Sequence, residues 1–482
     1  MAFIDSTVVN VALPAIQASF HATVVDLQWV VESYALFLGA LILVGGSLGD
    51  LFGRRLVFLV GAAIFAVASL ACGITSDIHQ LIIARSIQGV GASLLVPGSL
   101  AIISTSFDEK SRGQAIGTWS GFTAITTAVG PVLGGWLVEH ASWRWAFFIN
   151  LPIAAAVIAI SFWRIPDSRS TNTARIDWVG ALFATLALGG LVSGLLDSVN
   201  SGLSNPMVFG SLTVGFGCLI AFIFVEAHVT SPMLPLKLFE SSSFSGANLL
   251  TLFLYAAVGV FFFLFPLNLI QVQGYSATAA GAAVLPLILL MFFLSRWAGG
   301  LIARYGPRGP LTIGPLIAAV GIVLFALPSV GNSYWKSFFP SLVVLGFGLT
   351  VTVAPLTTVV MNSVDQDQVG TASGINNAVA RVAGVLAIAV VGIVMVNAFA
   401  SRLNHGVAHL SLPPSVVQAL QADEVKLAGL EVPGGLNPST KAAIKESIGE
   451  AFVFGFRIAM LICAGLSVAS AAIAWLMIPK DS

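Results

Sequence analysis

The sequence predicts an all-α polytopic membrane protein of about fourteen transmembrane helices, and three observations lead there. Hydrophobic residues make up 57% of the 482 and charged residues 9%, with a mean hydropathy of +0.96, whereas a soluble domain carries about 25% charged residues. The apolar residues fall in long continuous runs near the roughly 20 residues that a spanning helix needs, not in the alternating segments of about ten residues that build a membrane barrel. Lysine and arginine are shared unequally between alternate breaks in these runs.

Taken in order, the runs lie near 1–18, 27–49, 56–74, 79–104, 113–138, 144–165, 176–197, 207–227, 243–268, 277–301, 311–328, 336–360, 371–399 and 452–477. The first has no basic leader and no small-residue cleavage site, so it is a span and not a secretory signal. From Met1 to Ala18 it reaches only roughly 27 Å, short of a hydrocarbon core of about 30 Å. The expectation is that this span is truncated and that Asp5 sits near the inner surface, within reach of water. The breaks that follow are short except for 400–449, where HLSLPPS, ADEVK and VPGGLNPSTK predict an aqueous loop with a short helix near 414–428.

Placing the N-terminus in the cytoplasm puts twelve lysines and arginines, from Arg54 and Arg55 to Lys480, on the inner side. Six fall outside, four of them in the long loop. Basic residues accumulate on the cytoplasmic side, so both termini are expected there, in a plasma membrane of bacterial inner-membrane type. Cys72, Cys218 and Cys463 lie in apolar runs without ligand spacing and read as packing residues. A net charge of zero offers no surface to nucleic acid. No phosphate-binding loop and no metal-spaced His/Cys cluster is present, which argues against an enzyme and against any cofactor.

Two stretches repeat. GSLGDLFGRR at 46–55 and GGLIARYGPR at 299–308 each join two spans on the predicted inner face, and each places glycines seven residues apart. Parallel halves of this kind are a transporter arrangement, with the substrate site at their interface. The organisation expected is a six-helix half at 1–165, an inserted two-helix linker at 166–235, and a second six-helix half at 236–482 containing the outer loop. Gly46, Gly49 and Gly53 would allow a tight turn, and Asp50, Arg54 and Arg55 would form a latch there. The second copy has Ala303 at the aspartate position. Ordinary basic inner loops are the bland alternative.

These residues carry a resemblance to the major facilitator superfamily, in particular to its fourteen-span drug:proton antiporter branch. GSLGDLFGRR resembles the superfamily's signature loop, and ARSIQGVGA at 84–92 resembles its fourth-span motif through Arg85, Gln88, Gly89 and Gly91. AVGPVLGGWL at 128–137 is similar to the fifth-span antiporter motif, with SWRWAFFINLP at 142–152 after it, and DSTVVNVALP at 5–14 is similar to the first-span motif. Thr126 departs from the usual glycine of the fifth-span motif, and Glu32 stands where a small polar residue is more usual. The resemblance implies export of hydrophobic or amphipathic compounds in exchange for protons. The partners implied are the lipid bilayer, protons and a small lipophilic substrate, cationic compounds included. A uniporter or symporter for a small metabolite is the alternative on the same fold, and one chain holding both halves needs no second copy.

The candidate residues are the charges and glycines that are costly in a membrane. Arg85 sits inside an apolar run, where a charge usually faces a cavity or a partner; the resemblance implies that it tunes a carboxylate during proton coupling, and snorkelling to the surface is the alternative. Asp5 and Glu32 are the carboxylates to pair with it, although Glu32 would also suit the outer water at the start of its span. Gly130, Pro131, Gly134 and Gly135 predict a bend, a close-packed helix face, or both. Arg381 lies about ten residues into its span, preceded by Asn376 and Asn377, and would bind an anionic substrate group or pair with a carboxylate of the other half. Gln88 joins the charge-network candidates. Asp177 and Glu226 are expected to anchor the inserted pair. Among the aromatic residues, Phe261, Phe262, Phe263 and Phe265 circle more than one face of the ninth span, so some would line an apolar pocket.

Overall fold

The computed structural model describes residues 1–106, 122, 126, 129–165, 177–202, 204–230, 232–364, 368–410 and 412–480. Every element among them is helical. The chain starts with α1 (Ala2–Phe20), α2 (Val24–Phe52), α3 (Arg54–Ile74) and α4 (Ile78–Ser106). Then come α5, helical over 129–140, the short α6 (Trp145–Phe148) and α7 (Asn150–Arg164). The pair α8 (Trp178–Ser201) and α9 (Pro206–His228) follows. After it run α10 (Ser242–Leu267), α11 (Ala277–Ala283), α12 (Leu285–Gly299), α13 (Leu301–Tyr305), α14 (Arg308–Leu324) and α15 (Phe339–Asn362). The chain closes with α16 (Val369–Ala408), α17 (Pro414–Ala422) and α18 (Pro438–Met477).

Among the described residues, twelve helical stretches are long and apolar enough to cross a membrane. The apolar α14 is shorter, and most of the run expected at 113–138 lies outside the described residues, so fourteen remains the expectation of the sequence. Continuous helix is the physical answer to a solvent without hydrogen bonds, since each turn satisfies its own backbone. Pro14, Pro97, Pro266, Pro315 and Pro355 sit inside helices, where each removes one backbone hydrogen bond.

The helices before and after the α8–α9 pair pack in the same order. α4 contacts α2 and α3, and α3 contacts α7; correspondingly α15 contacts α12 and α14, and α14 contacts α18. The two basic stretches match in detail. Helix α2 continues through Phe52, so the expected loop is a one-residue break at Gly53, with φ 112°. Gly306, with φ 68°, is its counterpart between α13 and α14. Only glycine takes such a backbone without strain. Arg55 then donates to Ile165 O at 3.0 Å. Arg308 likewise donates to Trp475 O and lies over that indole. In each copy the arginine therefore ties the turn to the last helix of its own set. The side chain of Asp50 lies outside the described residues.

Segment 400–449 departs from the expected aqueous loop. Helix α16 extends to Ala408 and α18 begins at Pro438, capped by Asn437 accepting from Thr440 N. Between them α17 and a 3-10 turn (Glu424–Gly429) bury Leu420, Leu427 and Leu430. Gln17 at the end of α1 donates to Lys426 O at 3.0 Å. The segment is a folded cap over one end of the bundle. Its polar composition concealed the buried Ile444 and Ile448, one helical turn apart on α18.

Candidate functional site

The sequence cost of a membrane arginine is met in full by Asp5. Arg85 Nη1 lies 2.5 Å from Asp5 Oδ2, with relative exposures of 1% and 0%. Gln88, one turn on from Arg85, accepts from its Nη1 at 2.7 Å and donates to Asp5 Oδ1 at 2.8 Å. Asn150, the first residue of α7, donates to the same Oδ1 at 3.0 Å. Ser69 Oγ on α3 accepts from Gln88 at 2.8 Å, and Val30 O on α2 accepts from Arg85 Nε at 3.0 Å. The ring of Tyr34 faces the guanidinium with its centroid 4.3 Å away. Helices α1, α2, α3, α4 and α7 thus meet at one ion pair. A buried charge pair is tolerable only when its remaining donors and acceptors are satisfied in this way.

Two sequence expectations are corrected here. Asp5 is not near surface water, because α1 presses its first turn against α4 and α7 and buries it. Glu32 is not in outer water either: its exposure is 0%, and neither carboxylate oxygen has a hydrogen-bond partner. Arg85 forms a buried pair and does not snorkel.

On its other side, α1 borders a cavity of about 700 Å³. Ser6, Thr7, Asn10 and Val11 contribute from α1, and Pro131 from α5. Tyr255, Val258, Phe262 and Pro266 come from α10, Leu287, Ile288, Met291, Phe292 and Ser295 from α12, and Leu349 and Val353 from α15. The wall is apolar with a few hydroxyl and amide groups, the chemistry of a pocket for lipophilic molecules. Of the phenylalanines expected to contribute, Phe262 lines the cavity. Phe261 and Phe265 instead stack on each other and pack against Phe325 in the core behind it.

The fifth-span glycines are contact points. A Cβ on Gly130 would fall 1.9 Å from Thr7 Oγ1 and one on Gly134 2.9 Å from Val8 Cα, so this face packs on α1. A Cβ on Gly135 would fall 2.2 Å from Ala277 O, and one on Gly281 2.0 Å from Pro131 O. Helices α5 and α11, one from each set, therefore touch backbone to backbone near the capped end. Glu139 accepting from Thr278 N at 3.2 Å and Gln271 donating to Gln17 at 2.7 Å close the same end.

The remaining candidates are apart from the cavity wall. Asn376 donates to Asn248 and Thr251, binding α16 to α10, and Asn377 donates to Ser373 O of its own helix. Arg381 is half-buried and faces α2, where a Cβ on Gly39 would lie 3.5 Å from its Cβ. Gly46 approaches Pro97, whereas Gly49 accepts from Gly53 N at the end of α2 and faces Arg54. Asp177 caps α8 and Glu226 accepts from Leu234 N, the anchoring roles expected. Asn150, Ser69 and Tyr34 were not anticipated. For the cavity, Ser6 and Asn10 at i,i+4 in DSTVVN were the readable signal, because that spacing puts them on one helix face.

A helical bundle with a central apolar cavity, a buried charge network on its wall helix and cross-set packing at one end defines a membrane transporter, not an enzyme. The chain belongs to the Major Facilitator Superfamily, whose family model matches residues 1–388. It is 31% identical to the tetracenomycin C resistance and export protein of Streptomyces glaucescens, covering 98% of this chain and 88% of that one. Identity is also 31% with the multidrug resistance protein Stp of Mycobacterium tuberculosis, over 100% of this chain and 90% of the relative. Among solved structures, a bacterial homolog of the human lysosomal transporter Spinster, inward-facing and unoccupied, matches with TM-score 0.65 and 17% identity. That match covers 98% of this chain and 94% of the other. The inward-open xylose transporter XylE of E. coli matches with TM-score 0.58 and 14% identity, over 100% and 94%.

Proposed function

We propose that this protein exports hydrophobic or amphipathic compounds, cationic ones among them, in exchange for protons by alternating access. Asp5 loads the proton. The observation that carries this reading is the position of α1: one face gives Asp5 to Arg85, and the residues next in sequence, Ser6 and Thr7, line the cavity. Protonation of Asp5 releases Arg85, which alters the seat of α1 and so the wall that holds substrate. Resistance and export relatives along the whole chain support the direction of transport. The bias of lysine and arginine supports cytoplasmic termini in a plasma membrane, and the fourteen apolar runs support the fourteen-span branch. The capped end then faces out, and its packed α5–α11 contact matches a state closed to the outside. Each chain contains the whole pathway and works as a monomer, energised by the proton gradient without a cofactor.

Proteoliposomes with an imposed pH gradient test this. Efflux of a lipophilic cationic dye should follow the gradient in the wild type, and that dependence should weaken in D5N. Gradient-independent flux in the wild type would instead indicate a uniporter.

A further inference from the structure

The Asp5–Arg85 network leaves out a second pair of opposite charges, Glu32 on α2 and Arg381 on α16. Three features of α2 show which way Glu32 faces. Gln28, one turn before it, donates to Ile388 O of α16 at 3.0 Å. Leu36, one turn after it, packs with Val192 and Leu196 of α8 and with Val385 and Ala389 of α16. Gly39, two turns on, meets Arg381. Residues at i, i+4 and i+7 share a helix face, so Glu32 belongs to the seam where α2 meets α16 and α8. The two helices run antiparallel, and Arg381, level with Gly39, lies about two turns farther along this seam than Glu32.

Glu32 is fully buried with both oxygens unpartnered, and Arg381 Nε is buried and unpartnered as well. An isolated carboxylate in such surroundings takes up a proton rather than keep its charge. Among the described residues, the other charged groups on elements packed against α2 are engaged or distant. Asp5 and Arg85 pair with each other, Arg55 is held by Ile165, and Arg54 lies at the Gly53 turn. Asp197, Glu424 and Lys426 stand at the capped end. Tyr34 of α2, whose ring faces Arg85, stands beside Arg381 as well; among the described residues Arg381 is the one cation on the seam itself. Helices α2 and α16 come from opposite sets, so the rocking that opens and closes the cavity shifts one along the other.

We propose that Glu32 and Arg381 form a second proton-coupled pair: Glu32 is protonated and apart from Arg381 in the conformation seen here, and ionised and paired with Arg381 in the alternate one. Per cycle, one proton joins the Glu32 carboxylate as the ion pair opens, which leaves the seam with the single positive charge of Arg381, and that proton leaves as the pair re-forms and the seam returns to neutral. This rests on the antiport reading and adds a second proton to the one carried by Asp5.

The test uses the full-length protein in liposomes, with ethidium as the transported probe. Reversal potentials should give two protons per dye in the wild type and one in both E32Q and R381Q. R381Q removes the partner and keeps Glu32 protonated throughout, which guards against a folding defect peculiar to E32Q. Infrared spectra should show a protonated-carboxyl band that D5N and R381Q retain and E32Q loses. Equal stoichiometry in wild type and E32Q, or a carboxyl band unchanged by E32Q, would overturn the proposal. The infrared result stands even where no proton-driven dye transport is found, so the failure of the antiport reading is told apart from the failure of this one.

Discussion

Removing one member of the Asp5–Arg85 pair leaves a buried charge without its partner, which costs about 3–5 kcal/mol. Alanine at Arg85 should therefore lower the melting temperature measurably and abolish proton-driven efflux in protein still inserted in the membrane. Wild-type efflux from inserted R85A would show the pair to be dispensable. Alanine at Asn150 removes one donor of several around Asp5, so its transport loss should be smaller than that of R85A in the same vesicles. The charged members of this network were legible because a membrane makes each charge conspicuous. Asn150 was not, since a polar residue in FFINLP resembles a loop residue until α6 and α7 are seen to fold it inward.

At the level of elements, glycines decide how closely helices meet. Valine at Gly135 would collide with the backbone of Ala277. The expected outcome is an α5–α11 seam that cannot close, with about 1–3 kcal/mol of destabilisation from overpacking. Cysteine accessibility at the capped end of that variant should rise above wild type. The cap carries its own pH dependence. Burial raises the Glu424 carboxyl above its ordinary value, opposed by the hydrogen bond from Asn404. A raised folded-state value favours the cap below the unfolded value of about pH 4.3, and that advantage is lost as pH rises through the folded value. E424Q should then raise the melting temperature at neutral pH, with the gain disappearing in acid. Sequence patterning had placed the short helix of this cap near its observed position, but not the extensions of α16 and α18. Their polar surface hides a periodicity that only burial exposes.

For the whole molecule, the repeated glycine-to-arginine turn at 46–55 and 299–308 announced two matched sets of helices. Their packing order and the paired Arg55 and Arg308 contacts carry that relation into three dimensions. The cavity was less legible, because its walls come from six helices and its apolar residues look like any lipid-facing side chain. The pair α8–α9 sits outside the sets, with α8 touching both α2 and α16 and α9 exposing Phe209, Phe216, Ile220 and Phe224. The central claim is that substrate binding and proton binding exclude one another through α1. It is tested most directly by adding a panel of lipophilic compounds to purified protein in weakly buffered solution and measuring released protons. The account predicts proton release on binding in the wild type and a smaller release in D5N. Saturable binding with no proton release in the wild type would contradict it.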